Sequence, residues 1–141
     1  YANDRGDATE IVNDSFIKVF NDIRKYDTSM PFKSWFRRIV INTAIDRFRR
    51  ESRNRATMQI DELPLHDTDP GVISKISAEE IFSLLNNLPL VHKTVFCLYE
   101  IEGYNHEEIA KELRIAESSS RVYLTRAKKR LQELYQLHFN S

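Results

Sequence analysis

Between Ser118 and Leu131 the chain carries Arg121, Arg126, Lys128, Lys129 and Arg130 and not one acidic residue. Side chains of these types donate charge-assisted hydrogen bonds to phosphate oxygens, and a one-signed run attracts polyanions. That is recognition chemistry rather than bond-making chemistry. Just upstream, Asn105 and Glu108 stand at capping-box spacing, and Ile109, Ala110 and Leu113 follow at helical steps. Only Arg114–Glu117 separates the two stretches, which is room for a turn and nothing longer. A small helix, a tight turn and a basic helix from about Ser118 make a helix-turn-helix, whose second helix enters the DNA major groove. Spacing alone does not separate this from an amphipathic hairpin with a solvated basic face. The small Ala110 at the expected helix crossing and the one-signed second helix favour DNA binding.

A second cationic stretch lies far upstream. Between Lys33 and Arg55 eight basic residues face only Asp46 and Glu51, a net of plus six. Phe32, Trp35 and Phe36 sit beside it. Phosphate contacts supply much of the affinity for nucleic acid, and aromatic rings stack unpaired bases. The alternative is a solvated helix face, and Trp35 taken alone reads as core. Arg38, Asn42, Asp46 and Arg49 recur at steps of four, four and three and share an exposed face, on which Asn42 and Asp46 could instead bond each other.

Nothing in the chain points to catalysis. His66, His92, His106 and His138 are scattered, none pairs at metal-ligand spacing, and no glycine loop is built to cradle phosphate. No catalytic residue, metal or cofactor is therefore expected. His106 reads as a first-turn helix residue and Cys97 as a small core residue. A single cysteine excludes an internal disulfide and a cysteine-based zinc site, and suits a reducing, cytoplasmic setting. No apolar run approaches the length of a membrane span, and no secretory signal is present, so no membrane insertion is expected.

The elements that must position these residues are helices. The chain has 141 residues, with 21 basic and 21 acidic residues, three glycines and four prolines. Few breakers and long 3.6-residue periodicity predict an all-α protein of two small helical domains joined by a linker. Asp7–Asp22 forms the first helix, with Ala8, Ile11, Val12, Phe16, Val19 and Phe20 inside and Glu10, Asn13, Asp14 and Lys18 outside. Asp27–Pro31 is a turn. A helix from Phe32 to about Arg53 buries Phe36, Ile39, Val40, Ala44, Ile45 and Phe48. Residues 57–76 hold Asp61, Glu62, Asp67 and Asp69, two prolines and no sustained period, and read as an acidic linker. Ser77 with Glu80 opens the next domain. There Ile81, Leu84, Leu85 and Leu88 form one stripe, Pro89 starts the following helix, and Val91, Val95, Phe96, Leu98 and Tyr99 continue the core to Gly103. With Asn105–Leu131 this makes a four-helix domain ending in the helix-turn-helix. The predicted domains are residues 1–56 and 77–141.

Three blocks in this order resemble a bacterial RNA polymerase sigma factor of the extracytoplasmic-function type, with sigma domains two and four. Ala8–Phe20, ATEIVNDSFIKVF, resembles the domain-two helix that docks on the clamp helices of the largest polymerase subunit. Phe32–Arg50, FKSWFRRIVINTAIDRFRR, is similar to the helix that melts the promoter and reads the minus-ten element. Leu88–Leu131 resembles domain four, whose last helix reads the minus-thirty-five element and whose other surface meets the flap of the second-largest subunit. The resemblance implies a factor that binds core RNA polymerase and promoter DNA and directs initiation, usually under an anti-sigma factor. It implies polymerase contacts at Glu10, Asn13 and Asp14. Minus-ten contacts are expected at Phe32, Trp35, Arg38, Asn42, Arg49 and Arg50. In the last helix Ser118, Ser119, Arg121 and Val122 are placed for base edges, and Arg126, Lys128 and Lys129 for phosphates.

The chain departs from that family in instructive places. Arg114 stands where glycine is usual, so a non-glycine must accept an unusual backbone or the turn takes another shape. Ala116 stands where a Ser or Thr cap is common, which leaves Glu117 or Ser118 to begin the helix. Val122 and Tyr123 replace positions more often polar. The helix that should cover the Ala8–Phe20 face does not precede it, so the expectation is an upstream segment or a borrowed partner. Two rivals stay open on the sequence: a stand-alone dimeric regulator, and a helical adaptor whose basic faces bind an acidic protein.

Overall fold

The computed structural model describes residues 1–2, 4–54 and 78–139. Among these, every regular element is helical. The chain divides into two units, Tyr1–Met58 and Gln59–Ser141. The acidic stretch 57–76 and the Ser77 cap lie outside the described residues.

In the first unit α1 (Arg5–Asp22) begins two residues earlier than the periodicity predicts. The reason is Asp4, whose carboxylate caps the helix by accepting from the Asp7 N–H at 2.8 Å. A 3-10 turn (Ile23–Lys25) and the expected break at Asp27–Met30 follow, the latter closed by the Ser29 N–H on Asp27 Oδ1 at 2.9 Å. That bond holds the Asp27 carboxyl below its ordinary pKa. After Pro31 the chain enters α2 (Phe32–Asn54).

Helices α1 and α2 pack along Ile11, Ser15 and Val19 on one side and Ile41, Ala44, Ile45 and Phe48 on the other. Small Ser15 and Ala44 let the backbones approach. The buried hydroxyls of Ser15 and Thr43 are satisfied within their own helices, donating to Ile11 O at 2.6 Å and Ile39 O at 2.7 Å. Two expectations need correcting. Phe36, Ile39 and Val40 are only half-buried, so the core of α2 sits toward its C-terminal half and includes Ile41 and Thr43. On α1, Val12, Phe16 and Phe20 are exposed, Phe20 by 76%. Apolar residues wrap two faces of α1, and a single partner helix covers one.

One cation ties the pair together. Arg47 on α2 is 2.6 Å from Asp7 Oδ1 and hydrogen-bonds Glu10, both on α1, while its Nε lies 3.4 Å from Glu51. The Glu10 bond raises its pKa further above the ordinary arginine value.

The second unit runs α3 (Ala78–Leu85), α4 (Leu90–Phe96), a π-helical turn (Cys97–Ile101), α5 (His106–Leu113) and α6 (Glu117–Phe139). Pro89 precedes α4 as its cap residue. The π turn continues α4 and is closed by Glu102 N–H donating to Cys97 O at 3.0 Å, before Gly103 at φ +80° ends the helix. Helix α6 packs across α3, α4 and α5. Leu84, Leu88, Val95, Leu98, Ile109, Leu113, Ala127 and Leu131 fill the space between them. Cys97 is core, and burial pushes its thiol pKa up. Helix α6 extends well past the acid-free segment because Leu134 continues the buried stripe and Glu133 pairs with Arg130 at 3.2 Å.

The turn between α5 and α6 keeps its left-handed shape without glycine. Arg114 sits at φ 58°, ψ 47°, its N–H donating to Ala110 O, and Ile115 N–H reaches the same oxygen at 3.1 Å. A Cβ in this region crowds the following carbonyl. Arg114→Gly is therefore expected to stabilise the unit by about 0.5–1 kcal/mol, the relief of strain exceeding the entropy cost of glycine. Urea unfolding with an unchanged midpoint would contradict it.

Candidate nucleic-acid interface

The C-terminal site begins with the cap of α5. Asn105 Oδ1 accepts from Glu108 N–H at 2.8 Å, and Asn105 N–H donates back to Glu108 Oε1 at 3.1 Å, so both halves of the expected capping box form. The left-handed Arg114 then reverses the chain, and α6 starts at Glu117.

The two ends of that helix-turn-helix present different sets of cations. Ser118 and Arg121 are exposed and Val122 half-exposed, and Thr125 continues the same face at a step of four from Arg121. Thr125 was absent from the sequence-based set, although counting three and four on from Ser118 finds it. Its hydroxyl donates to Arg121 O at 3.0 Å. Arg121 is held by Glu117 one turn back, with both side chains about half in solvent. Ser119 is half-buried.

Arg126, Lys128 and Lys129 are placed differently. Arg126 is half-buried beside His92, with its Nε inaccessible and without a hydrogen-bond partner. Lys128 is paired with Glu100 at 2.6 Å and lies 6.0 Å over the Tyr99 ring. Lys129 is largely covered and 4.0 Å from Glu133. Tyr123 is core, its ring 5.4 Å from that of His92, which keeps it from base contacts. Burial raises its pKa.

In the first unit Trp35, Arg38, Asn42 and Arg49 lie along one face of α2, with Phe32 and Arg50 flanking it. Arg38, Asn42 and Arg50 are exposed. Arg49 is half-buried and 3.4 Å from Asp46, whose other oxygen is 3.3 Å from Lys18 of α1. Asp46 thus meets these two cations rather than Asn42. The aromatic residues form a connected cluster: Tyr26 with Trp35 at 4.9 Å, Phe32 with Trp35 at 5.7 Å, and Phe32 stacked on Phe36 at 6.0 Å. Trp35 is half-buried and Phe32 is 49% exposed, so this cluster offers a ring edge to solvent at the start of α2.

On α1, Asn13 is exposed and Asp14 half-buried. Glu10 is exposed but engaged with Arg47, so it serves the α1–α2 packing. No group of three or more potential metal ligands occurs among the described residues, and none of the described helices is long and apolar enough to cross a membrane.

Residues 1–54 match the Sigma-70 region 2 family and residues 78–131 match Sigma-70 region 4. The ECF RNA polymerase sigma factor SigE of Mycolicibacterium smegmatis is 28% identical over 138 residues, covering 94% of this chain and 53% of that protein. The ECF RNA polymerase sigma-E factor of Haemophilus influenzae is 28% identical over 144 residues, covering 94% of this chain and 76% of its own length. The chain thus spans from about half to three-quarters of the length of these relatives. The sigma factor RpoE of Bartonella quintana, solved with the anti-sigma factor NepR, shares the fold at a TM-score of 0.53 and 20% identity, over 97% of this chain and 86% of that one. With region 2 on the first helical unit and region 4 on the helix-turn-helix unit, the chain belongs to the sigma-70 family of RNA polymerase sigma factors, in its extracytoplasmic-function group.

Proposed function

We propose that this chain binds core RNA polymerase in the cytoplasm and directs it to promoters, domain two reading the minus-ten element and domain four the minus-thirty-five element. The observation that carries this is the exposed Ser118–Arg121–Thr125 face at the start of α6, delivered by a capped α5 and a left-handed turn. In that geometry the first turns of the second helix meet base edges. Cations elsewhere add sequence-independent affinity.

Catalysis in the covalent sense is not part of the role, so the chain is not itself an enzyme. Arg38, Asn42 and Arg50 contact minus-ten DNA, Arg49 from beside Asp46, and Phe32 with Trp35 borders a displaced base. Capturing that base after it leaves the stack favours the open duplex. Asn13 and Asp14 contribute to the polymerase surface, with Glu10 acting through Arg47. Ser119 and Val122 support base contact beside Arg121. Lys129 and Arg126 add positive potential near the backbone, and Lys128 does so from its pair with Glu100. Residues 57–76 link the two domains, and an anti-sigma factor holds the chain inactive between signals.

Run-off transcription tests the reading. Initiation that requires both this chain and core polymerase is expected, and tight promoter binding without polymerase would instead support a stand-alone regulator. Within the bound complex, Arg121→Ala should cost about 1–3 kcal/mol at the cognate minus-thirty-five sequence and little elsewhere. Equal weakening on all DNA would remove Arg121 from base recognition.

A further inference from the structure

We propose that His106 is a positioning residue that sets how α6 is presented to DNA, by clamping that helix at two points through the π-helical turn. The inference rests on the initiation role proposed above. His106 is the first residue of α5, and its Nδ1 lies 2.8 Å from Oγ of Ser120, a residue with 0% exposure one turn into α6. The same imidazole stacks on Tyr99 of the π turn, with centroids 4.6 Å apart and planes 22° apart. Lys128, two turns further along α6, sits 6.0 Å over the Tyr99 ring and pairs with Glu100 at 2.6 Å. The contacts therefore leave α6 at Ser120 and return to it at Lys128.

Those two points are about 12 Å apart along the helix axis. One contact would leave α6 free to pivot on its apolar underside, since burial of Ile109, Ala127 and Leu131 is non-directional. A hydrogen bond and an ion pair at separate turns fix tilt and rotation together. The segment between and around them carries Ser118, Arg121 and Thr125, so a small rotation would turn that whole face away from the groove. The π turn matters because its wider turn sets the phase at which Tyr99 and Glu100 leave the helix.

The groups that meet His106 are Tyr99 from the π turn and Ser120 from α6, with the charges of Glu117, Arg121 and Lys128 on α6 acting on it. Burial, then Arg121 and Lys128, hold its pKa below the ordinary histidine value, against Glu117. A proton would also place a cation at the N-terminus of α5, where the helix dipole opposes it.

The test uses the full chain with core polymerase and two duplexes: a promoter whose minus-thirty-five element this holoenzyme enriches from a randomised pool, and the same duplex with that element scrambled. His106→Ala is expected to lower the ratio of the two affinities about tenfold, leaving the scrambled duplex unchanged. His106→Asn, which keeps a polar group near the Nδ1 position but loses the ring that stacks on Tyr99, is expected to fall between wild type and the alanine variant. If His106→Ala does not fold, Ser120→Ala decides. Parallel loss on both duplexes that tracks the melting temperature, or an unchanged ratio, overturns the inference alone. Failure of the wild-type chain to enrich any sequence overturns the initiation role and the inference with it.

Discussion

His92→Phe is expected to flatten the acid side of the stability profile of the C-terminal domain. His92 lies on α4 against α6, 7% exposed, its ring tilted 31° to that of Tyr123 at 5.4 Å and with a buried Nε2 that has no hydrogen-bond partner. Burial, with the Arg126 guanidinium nearby, lowers its pKa to about 4. Unfolded, the same imidazole titrates near its ordinary value of about 6.5. Between those two values the unfolded chain holds the extra proton, so acidification favours unfolding. The neutral state's contribution is complete above the unfolded value and is lost as pH falls toward about 4. The shift corresponds to at most about 3 kcal/mol, since relaxation or water entry lowers the cost of the charged form. Phenylalanine keeps the ring against Tyr123 and removes both the titration and the unpartnered nitrogen. Chemical denaturation at several pH values should show wild type losing more stability than the variant from about pH 6.5 to about pH 4.5. Identical slopes would mean that His92 is solvated in the native state.

Arg47→Ala should release α1 from α2 in domain two. Arg47 is 17% exposed by its side chain and sits between Asp7, Glu10 and Glu51. Removing it deletes two cross-helix contacts and leaves three carboxylates facing one another. Taking one partner from a buried pair costs about 3–5 kcal/mol; here Glu10 is largely in water, so about 2 kcal/mol is expected. Amide exchange in α1 should then rise about thirtyfold, with the amides of domain four as the internal reference. Arg47→Lys keeps the charge but cannot reach two carboxylates as a fork, so it should fall between wild type and alanine. An α1 exchange rate unchanged in both variants would show that the apolar seam and the Lys18–Asp46 pair hold the helices without Arg47. Such a loss would reach the proposed function too, because the α1 surface proposed to meet polymerase is oriented by this tie.

The helices were legible because their signals are local. Periodicity located α1, α2 and the second helix of the helix-turn-helix, and Asn105 with Glu108 marked the start of α5 to the residue. The left-handed turn was anticipated at Arg114, with its shape left open; the structure shows that arginine accepts the backbone. The Asp4 cap, four residues upstream of Ala8, the first apolar position of that helix, was missed. The extent of α6 past Leu131 was missed as well, because the basic run ends there while the buried stripe continues.

The basic stretches were legible in the sequence, and the surroundings of each basic side chain were not. Counting charges gave Lys33–Arg55 a net of plus six, yet Arg47 lies within that count and is turned inward onto α1. The sequence separates Arg121, expected at base edges, from Arg126 and Lys128, expected at phosphates, without showing what holds each of them. Arg121 faces solvent, Arg126 packs beside His92, and Lys128 is held by Glu100.

From its own letters, then, this chain dictates a helical protein with two basic elements in a set order, one of them in a helix-turn-helix. Those properties follow from spacing within a single helix and from caps a few residues apart. Which cations stay exposed, and that burial lowers the pKa of His92, was settled by packing. The partners of Arg47 on α1 lie 37 and 40 residues away, and the contact between His106 and Ser120 spans 14. Helical periodicity assigns a residue to a face of its own helix and carries no information about which distant carboxylate or ring will meet that face.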